Sequence, residues 1–224
     1  MNDNGNLISK AYGDLDVIAA QFKMIEKQYE STLSQILDPE VRQICVGFLS
    51  GYFPSAVFST PSSLDSHNDH LGKHKAGLVV NFEYVSKFLD GLAKVPWQNS
   101  GQSLLDVTTV VITSEFTRTP ALNVSKGKDH NPFSNSLIVM SPKFKPGIVG
   151  RSRVLDAQLS PNGVPALVAM PVHNQTLEPL LQDKDTFMMT PSNIYASLMD
   201  ASGKLSASSP ESFRKATLLK SIYK

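Results

Sequence analysis

Two short apolar runs constrain the fold more than any other feature. Val107 to Thr113 (Val-Thr-Thr-Val-Val-Ile-Thr) is β-branched throughout, and Ser136 to Met140 reads Ser-Leu-Ile-Val-Met. Apolar runs of this length without alternation read as strands buried on both faces, which is typical of a parallel sheet. Helical patterns lie before and after them. Leu15, Ile18, Ala19, Phe22, Ile25, Tyr29, Leu33 and Ile36 recur at three- and four-residue steps, which predicts a helix from Asp14 to Leu37 with Asp14 as its cap. A shorter helix is expected over Pro39 to Leu49, capped by Asp38 with Pro39 in its first position. Leu78, Phe82, Val85, Phe88, Leu89 and Leu92 share a face over residues 76–94. Tyr52 to Thr60 reads as an imperfect strand, interrupted by Pro54. Thr190-Pro191-Ser192 opens a late helix that runs through Met199. The order helix, strand, helix, strand, strand, helix predicts a layered α/β fold. In such folds ligands collect beyond the carboxyl ends of the strands. The polar loops that begin near residue 61 and at residue 114 each follow an expected strand, so their polar side chains should meet.

The remaining stretches set the organisation. Residues 1–13 are polar, contain Gly5 and Gly13, and are expected to fray. Residues 148–174 hold several Gly and Pro, with Ser160-Pro161-Asn162-Gly163 as a turn signal, so a hairpin or irregular excursion is expected there. The domain reading is a helical segment over 1–49, an α/β site domain over 50–203, and a Ser- and Lys-rich tail over 204–224.

Charge and cysteine usage remove several classes. With 21 basic and 20 acidic residues, the chain lacks the cationic excess that phosphate-backbone binding usually leaves, so no nucleic-acid partner is expected. Its one cysteine, Cys45, rules out an internal disulfide and sits in the apolar run Ile44 to Leu49, where a buried inert thiol is expected. No run approaches the ~20 apolar residues of a membrane span. The first ten residues lack the apolar core of a signal peptide. A complete chain is therefore expected in the cytoplasm, and a fragment of a longer one in the periplasm or outside the cell.

The chemistry-bearing residues cluster. Three of the five histidines, His67, His70 and His74, fall within eight residues, beside Asp65 and Asp69, and His130 follows Asp129. Imidazole and carboxylate are the usual ligands of zinc, manganese and similar ions. Asp65 with His67, and Asp129 with His130, form the candidate ligand pairs, and solvated loop residues or caps are the plainer reading of both. His70 and His74, four apart, would share a helix face and rank second. His173 reads as a surface residue. Glu115, directly after the first apolar run, is a site carboxylate or a cap for the next element. Arg118 presents a fork of donors suited to a carboxylate, phosphate or sulfate, or else to an ion pair that shapes its loop. Ser114, Thr117 and Thr119 lack the Gly-x-Ser-x-Gly setting of a hydrolase nucleophile. Neither a phosphate-binding glycine loop nor a dinucleotide fingerprint is present.

Three segments resemble signatures of the DUF1501 family in order and approximate spacing. They are Leu64-Asp65-Ser66-His67, Ser114-Glu115-Phe116-Thr117-Arg118-Thr119-Pro120, and Gly127-Lys128-Asp129-His130-Asn131-Pro132. The family's late helix is similar to Thr190 through Ala196. That resemblance covers roughly residues 50–200. It implies the alkaline-phosphatase-like, sulfatase-like superfamily, and with it a doubly wound, mostly parallel sheet and a metal-dependent phosphate- or sulfate-ester hydrolase. It also implies a divalent ion (Zn, Mn or Ca) held by Asp65, His67, Glu115, Asp129 and His130, with Glu115 and Arg118 in catalytic roles. Departures from the family pattern are Thr117 for Gly, Lys128 for Arg and Asn131 for Trp. Phe116 stands where alkaline phosphatases carry a second ligand histidine. The segment expected to supply a first strand and nucleophile has no counterpart before residue 50, so the chain resembles the C-terminal half of such a protein. A complementing subunit or a homo-oligomer is the partner this implies. The rival expectations are a non-catalytic member that keeps the fold, and an interaction module that docks through residues 14–49.

Overall fold

A computed structural model describes residues 3–160, 163–181 and 184–224, with the backbone alone for residues 3–13. The chain divides into two compact units, one formed by residues 1–63 and 76–108, the other by residues 64–75 and 109–224.

The first unit is helical. It contains α1 (Asp3–Gln28), α2 (Glu30–Leu33), α3 (Pro39–Ser50), most of α4 (His70–Lys94) and α5 (Leu104–Val107). The Asp38 carboxylate accepts from Glu40 N at 2.9 Å and Val41 N at 3.2 Å, with Pro39 behind it, so α3 starts as its sequence predicts. It ends at Gly51, whose φ of 74° closes the last turn. Helix α1, in contrast, runs through Asp14 to begin at Asp3. Glycines such as Gly5 and Gly13 cost a helix about 1 kcal/mol each, a penalty that weakens it without forbidding it. The expected strand over residues 52–60 does not form. Pro54 cannot donate to a ladder, and the aromatic rings there are used in packing. Phe53 lies over Gly47, where a Cβ would come within 2.1 Å of its ring, and packs edge-on to Phe22. Phe58 packs against Tyr84 and Phe88.

The core of this unit is apolar. Val41, Cys45, Leu92 and Val95 have no exposed surface, and Leu33, Ile36, Val46, Phe88 and Leu104 are nearly as buried. Burial without a charged neighbour pushes the Cys45 thiol up to about 11, so it stays protonated and inert as expected. Gly91 lets α4 approach α3, since a Cβ there would sit 2.7 Å from a Val41 methyl.

The second unit is built from strand pairs. These are β1 (Val110–Thr113), β2 (Thr117–Arg118), β3 (His130–Asn131), β4 (Leu137–Met140), β5 (Ser152–Leu155), β6 (Ala166–Ala169), β7 (Val172–His173) and β8 (Thr186–Phe187). α6 (Pro191–Ala201), α7 (Glu211–Arg214) and a 3-10 turn (Lys220–Ile222) follow. Among the described residues every pairing of these strands is antiparallel, in four separate two-stranded ribbons: β1 with β4, β2 with β3, β5 with β6 and β7 with β8. The layered, doubly wound, mostly parallel sheet of alkaline-phosphatase type is therefore corrected. The two apolar runs do pair, Val110 with Met140 through Thr113 with Leu137, but in opposite directions. A parallel pair needs a crossover, usually a helix. Residues 114–136 contain no helix and fold back on themselves through β2 and β3. Nor is β1 buried on both faces, being half-buried at Val110 to Ile112 and exposed at Thr113. Val107 to Thr109, expected in the strand, instead close α5 and lead out of it.

The hairpin expected over residues 148–174 appears as β5 and β6, with Leu155 opposite Ala166. Its turn signal lies partly outside the described residues. α6 starts as predicted, with Thr190 and Asn193 forming a capping box and Pro191 behind the cap. Val172, Leu177 and Leu219 form the buried apolar centre of this unit, lined by Val149, Phe187, Met189, Ile194 and Ile222. Among the described residues, no helix is long and apolar enough to cross a membrane.

Candidate functional site

The site grows from two loops of the second unit laced together by backbone. Lys128 N donates to Ser66 O at 2.9 Å, His70 N to Lys126 O at 2.9 Å and Asp69 N to Ser125 O at 3.3 Å. The approach is so close that a Cβ on Gly127 would fall 1.9 Å from His67 O. Only glycine fits there. β2 and β3 extend the same arrangement, with Arg118 opposite His130. Beneath them Asn131, 1% exposed, donates to Thr117 Oγ1, Ser134 Oγ and Leu167 O, and accepts from Leu167 N. That buried network ties β3 to β6 and fixes the strand that carries His130.

This lacing brings four of the five expected ligands together. His67 Nδ1 lies 3.0 Å from Asp129 Oδ1, and His67 Nε2 lies 3.0 Å from His130 Nε2. Asp65 Oδ1 is 3.7 Å from His67 Nε2 and accepts from the His67 backbone N–H at 3.3 Å. Phe116, unremarked in the sequence except as a departure, stacks on the His130 ring at 3.8 Å. The Arg118 guanidinium sits 5.3 Å from the centroid of the Phe116 ring, a cation–π distance. Both carboxylates are held below their ordinary range. For Asp65 the cause is first the His67 backbone N–H and then the charges of His67 and Arg118. For Asp129 it is the His67 ring hydrogen bond and then the Asn123 amide. Both are therefore charged acceptors near neutral pH.

Arg118 serves the loops. Its guanidinium donates to Lys128 O at 3.1 Å, to Leu64 O at 3.2 Å and to Asp65 Oδ1 at 3.2 Å. Glu115 is exposed in the bend between β1 and β2. The hydroxyls weighed as nucleophiles are engaged internally: Ser114 with Phe116 O, Thr117 with Ser134 O, and Thr119 with Ala121 O and Asp129 N.

His70 and His74 open α4 six residues earlier than the apolar pattern predicts, because the Asp69 carboxylate accepts from Gly72 N at 3.3 Å and caps the start. Their rings stack at 4.6 Å, and His70 Nδ1 pairs with the buried Ser66 Oγ at 2.8 Å. Burial, then the neighbouring His74, Lys128 and Arg118, hold the His70 imidazole below its usual value. His173 accepts from Gln175 N and Thr176 N and shapes its turn. The residue that sequence reading missed is Asn123, which touches both loops. Its signal was faint: an Asn four residues before a glycine, in a loop that has to turn sharply.

The donor chemistry at His67, His130 and Asp65 suits a divalent ion, while the arrangement fits one only in part. Among the described residues, no three His, Cys, Asp or Glu side chains are grouped so as to hold a metal between them. Comparisons with curated proteins and with solved structures find no match. A family model does match, over residues 60–206, and all four resembling segments fall inside that range. Because the match spans well over half of the 224 residues, the chain belongs to the family described as protein of unknown function, DUF1501.

Proposed function

We propose that this cluster is the metal-binding part of a hydrolase acting on phosphate or sulfate esters. The observation that carries the reading is the line Asp129–His67–His130. A carboxylate on the far nitrogen of an imidazole is the arrangement that commonly orients metal-binding histidines. Here it directs His67 Nε2 toward His130 Nε2. His67, His130 and Asp65 are the candidate ligands, a set that is incomplete as it stands, and Glu115 is the exposed carboxylate available to a second ion or a bound water. A divalent ion in such a place polarises an ester oxygen and acidifies water.

The chain's own residues do the positioning. Asp129 orients His67, Phe116 supports the His130 ring, and Arg118 ties Asp65 to the backbone of both loops. With Arg118 so engaged, its part in this reading is positioning. The incomplete donor set agrees with a chain that resembles the C-terminal half of the superfamily's hydrolases, completed by another subunit or a second copy.

Titration with zinc or manganese in a calorimeter tests this. Binding is expected in the native protein and lost in His67→Ala and His130→Ala. Absence of binding by the native protein refutes the metal reading. Turnover of generic phosphate or sulfate esters with added Zn, Mn or Ca, abolished by Glu115→Ala, would establish the enzyme. A second reading is a non-catalytic member that keeps the site for binding. The engaged hydroxyls favour it, and metal uptake without turnover is its expected signature.

A further inference from the structure

We infer that Asn123 is the positioning residue that decides which nitrogen of His67 faces His130. Its amide is held at both ends, and that bonding settles its orientation. Asn123 Oδ1 accepts from Ser125 N at 3.0 Å and from Gly127 N at 2.9 Å. The amide nitrogen must therefore face the other way. There it donates one hydrogen to His67 O at 3.0 Å and the other to Asp129 Oδ1 at 3.0 Å. Donor count matches acceptor count: two backbone N–H groups on the oxygen, two acceptors on the nitrogen.

The consequence reaches His67 through Asp129. The Asp129 side chain is half exposed, at 51%, so water competes for it and a single bond to the imidazole would leave it free to turn. Asn123 pins that oxygen from the second side. A carboxylate oxygen only accepts, so the nitrogen opposite it, His67 Nδ1, must carry the proton. Neutral His67 then has its lone pair on Nε2, directed at His130 Nε2 at 3.0 Å. The bond from Asn123 to His67 O holds the backbone of the same histidine, so ring and main chain are set by one amide. Asn123 thus combines three tasks that sequence alone keeps separate: closing the 123–127 turn, gripping the 65–69 loop and choosing the tautomer.

The isosteric change Asn123→Asp separates these tasks. It keeps an acceptor for Ser125 N and Gly127 N, and replaces the donor end by a second acceptor facing Asp129 and His67 O. Nitrogen NMR of the metal-free protein, at a pH where the imidazoles are neutral, reads the tautomer directly. The native protein is expected to show a protonated Nδ1 and a bare Nε2 at His67. In the variant the two nitrogens should move toward the averaged signal of mixed tautomers, while the Ser125 and Gly127 amides keep their protection from exchange. A native His67 protonated on Nε2 overturns the inference, and needs no variant to fold. So does a folded variant whose His67 keeps the native tautomer. The further consequence for metal affinity rests on the proposed function: zinc binding by Asn123→Asp should fall about 10–100-fold, the usual effect of losing an outer partner. If the native protein takes up no zinc, the metal reading falls, and the tautomer measurement still decides the role of Asn123.

Discussion

The two units are stabilised by different means. The helical unit is held by apolar side chains with no exposed surface, such as Val41, Leu92 and Val95. Around the candidate site the second unit is held by polar groups: backbone bonds between two loops, the four-partner amide of Asn123, and the Arg118 guanidinium on two carbonyls and a carboxylate. Non-directional burial tolerates changes that conserve volume. Directional bonds fix angles, and a site that aims imidazoles needs angles. The helical unit should therefore respond to lost volume, and the loops to lost geometry.

The largest effect expected is from Leu92→Ala, which removes a fully buried side chain. It should cost about 2–5 kcal/mol in chemical denaturation. A cost near zero would mean that the helical core is not what holds the first unit. Next is Gly127→Ala, whose added carbon has backbone as its neighbour and no side chain to displace. A loss of about 1–3 kcal/mol is expected from the forced overpacking. The distinguishing sign is separation of the His67 and His130 rings, read from their mutual NOEs. Unchanged ring contacts would show that the loops yield more easily than their bonding implies. A smaller effect is expected from Asp38→Ala in the first unit, about 0.5–2 kcal/mol for a lost helix cap, and it should leave the histidine contacts untouched.

Acid provides the mildest and most selective test. The His70 imidazole is held below its ordinary value by burial, so the folded state resists its protonation. Its contribution is whole above about pH 6.5, the unperturbed value, and is lost as the pH falls through the depressed folded value. Asp106 in the first unit is held below the carboxylate range by the Ser103 backbone N–H and hydroxyl. Its contribution is whole above about pH 3.9 and is lost only as the pH falls through a still lower folded value. Moderate acidification should therefore lower exchange protection around His70 before it reaches the turn at Ser103. Simultaneous loss in both places would break the contrast.

Legibility followed the same division. Asp38 and Thr190 were readable as caps because a cap acts within one turn of its own position. Cys45 was readable as buried because its neighbours in the chain are apolar. The pairing of Asp129 with His67 depends on contacts across 62 positions, and here the family-like segments supplied the grouping that spacing could not. They did not supply the course of the chain between them. The two apolar runs carried a parallel expectation because a β-branched run looks alike whether its strand is buried on both faces or half covered in a ribbon.

What the sequence determined by itself is local: the helix starts at Pro39 and Pro191, the inert thiol, and the residue types able to bind a cation. Short-range bonds and side-chain volume set these, and both are written into neighbouring residues. Tertiary structure alone decided the antiparallel direction of β1 and β4, the commitment of Arg118 to its own loops and the bonding of Asn123 to both of them. Each of these depends on which distant backbone atoms come within hydrogen-bonding distance. Strand direction and donor assignment are properties of that meeting, and no single segment carries them.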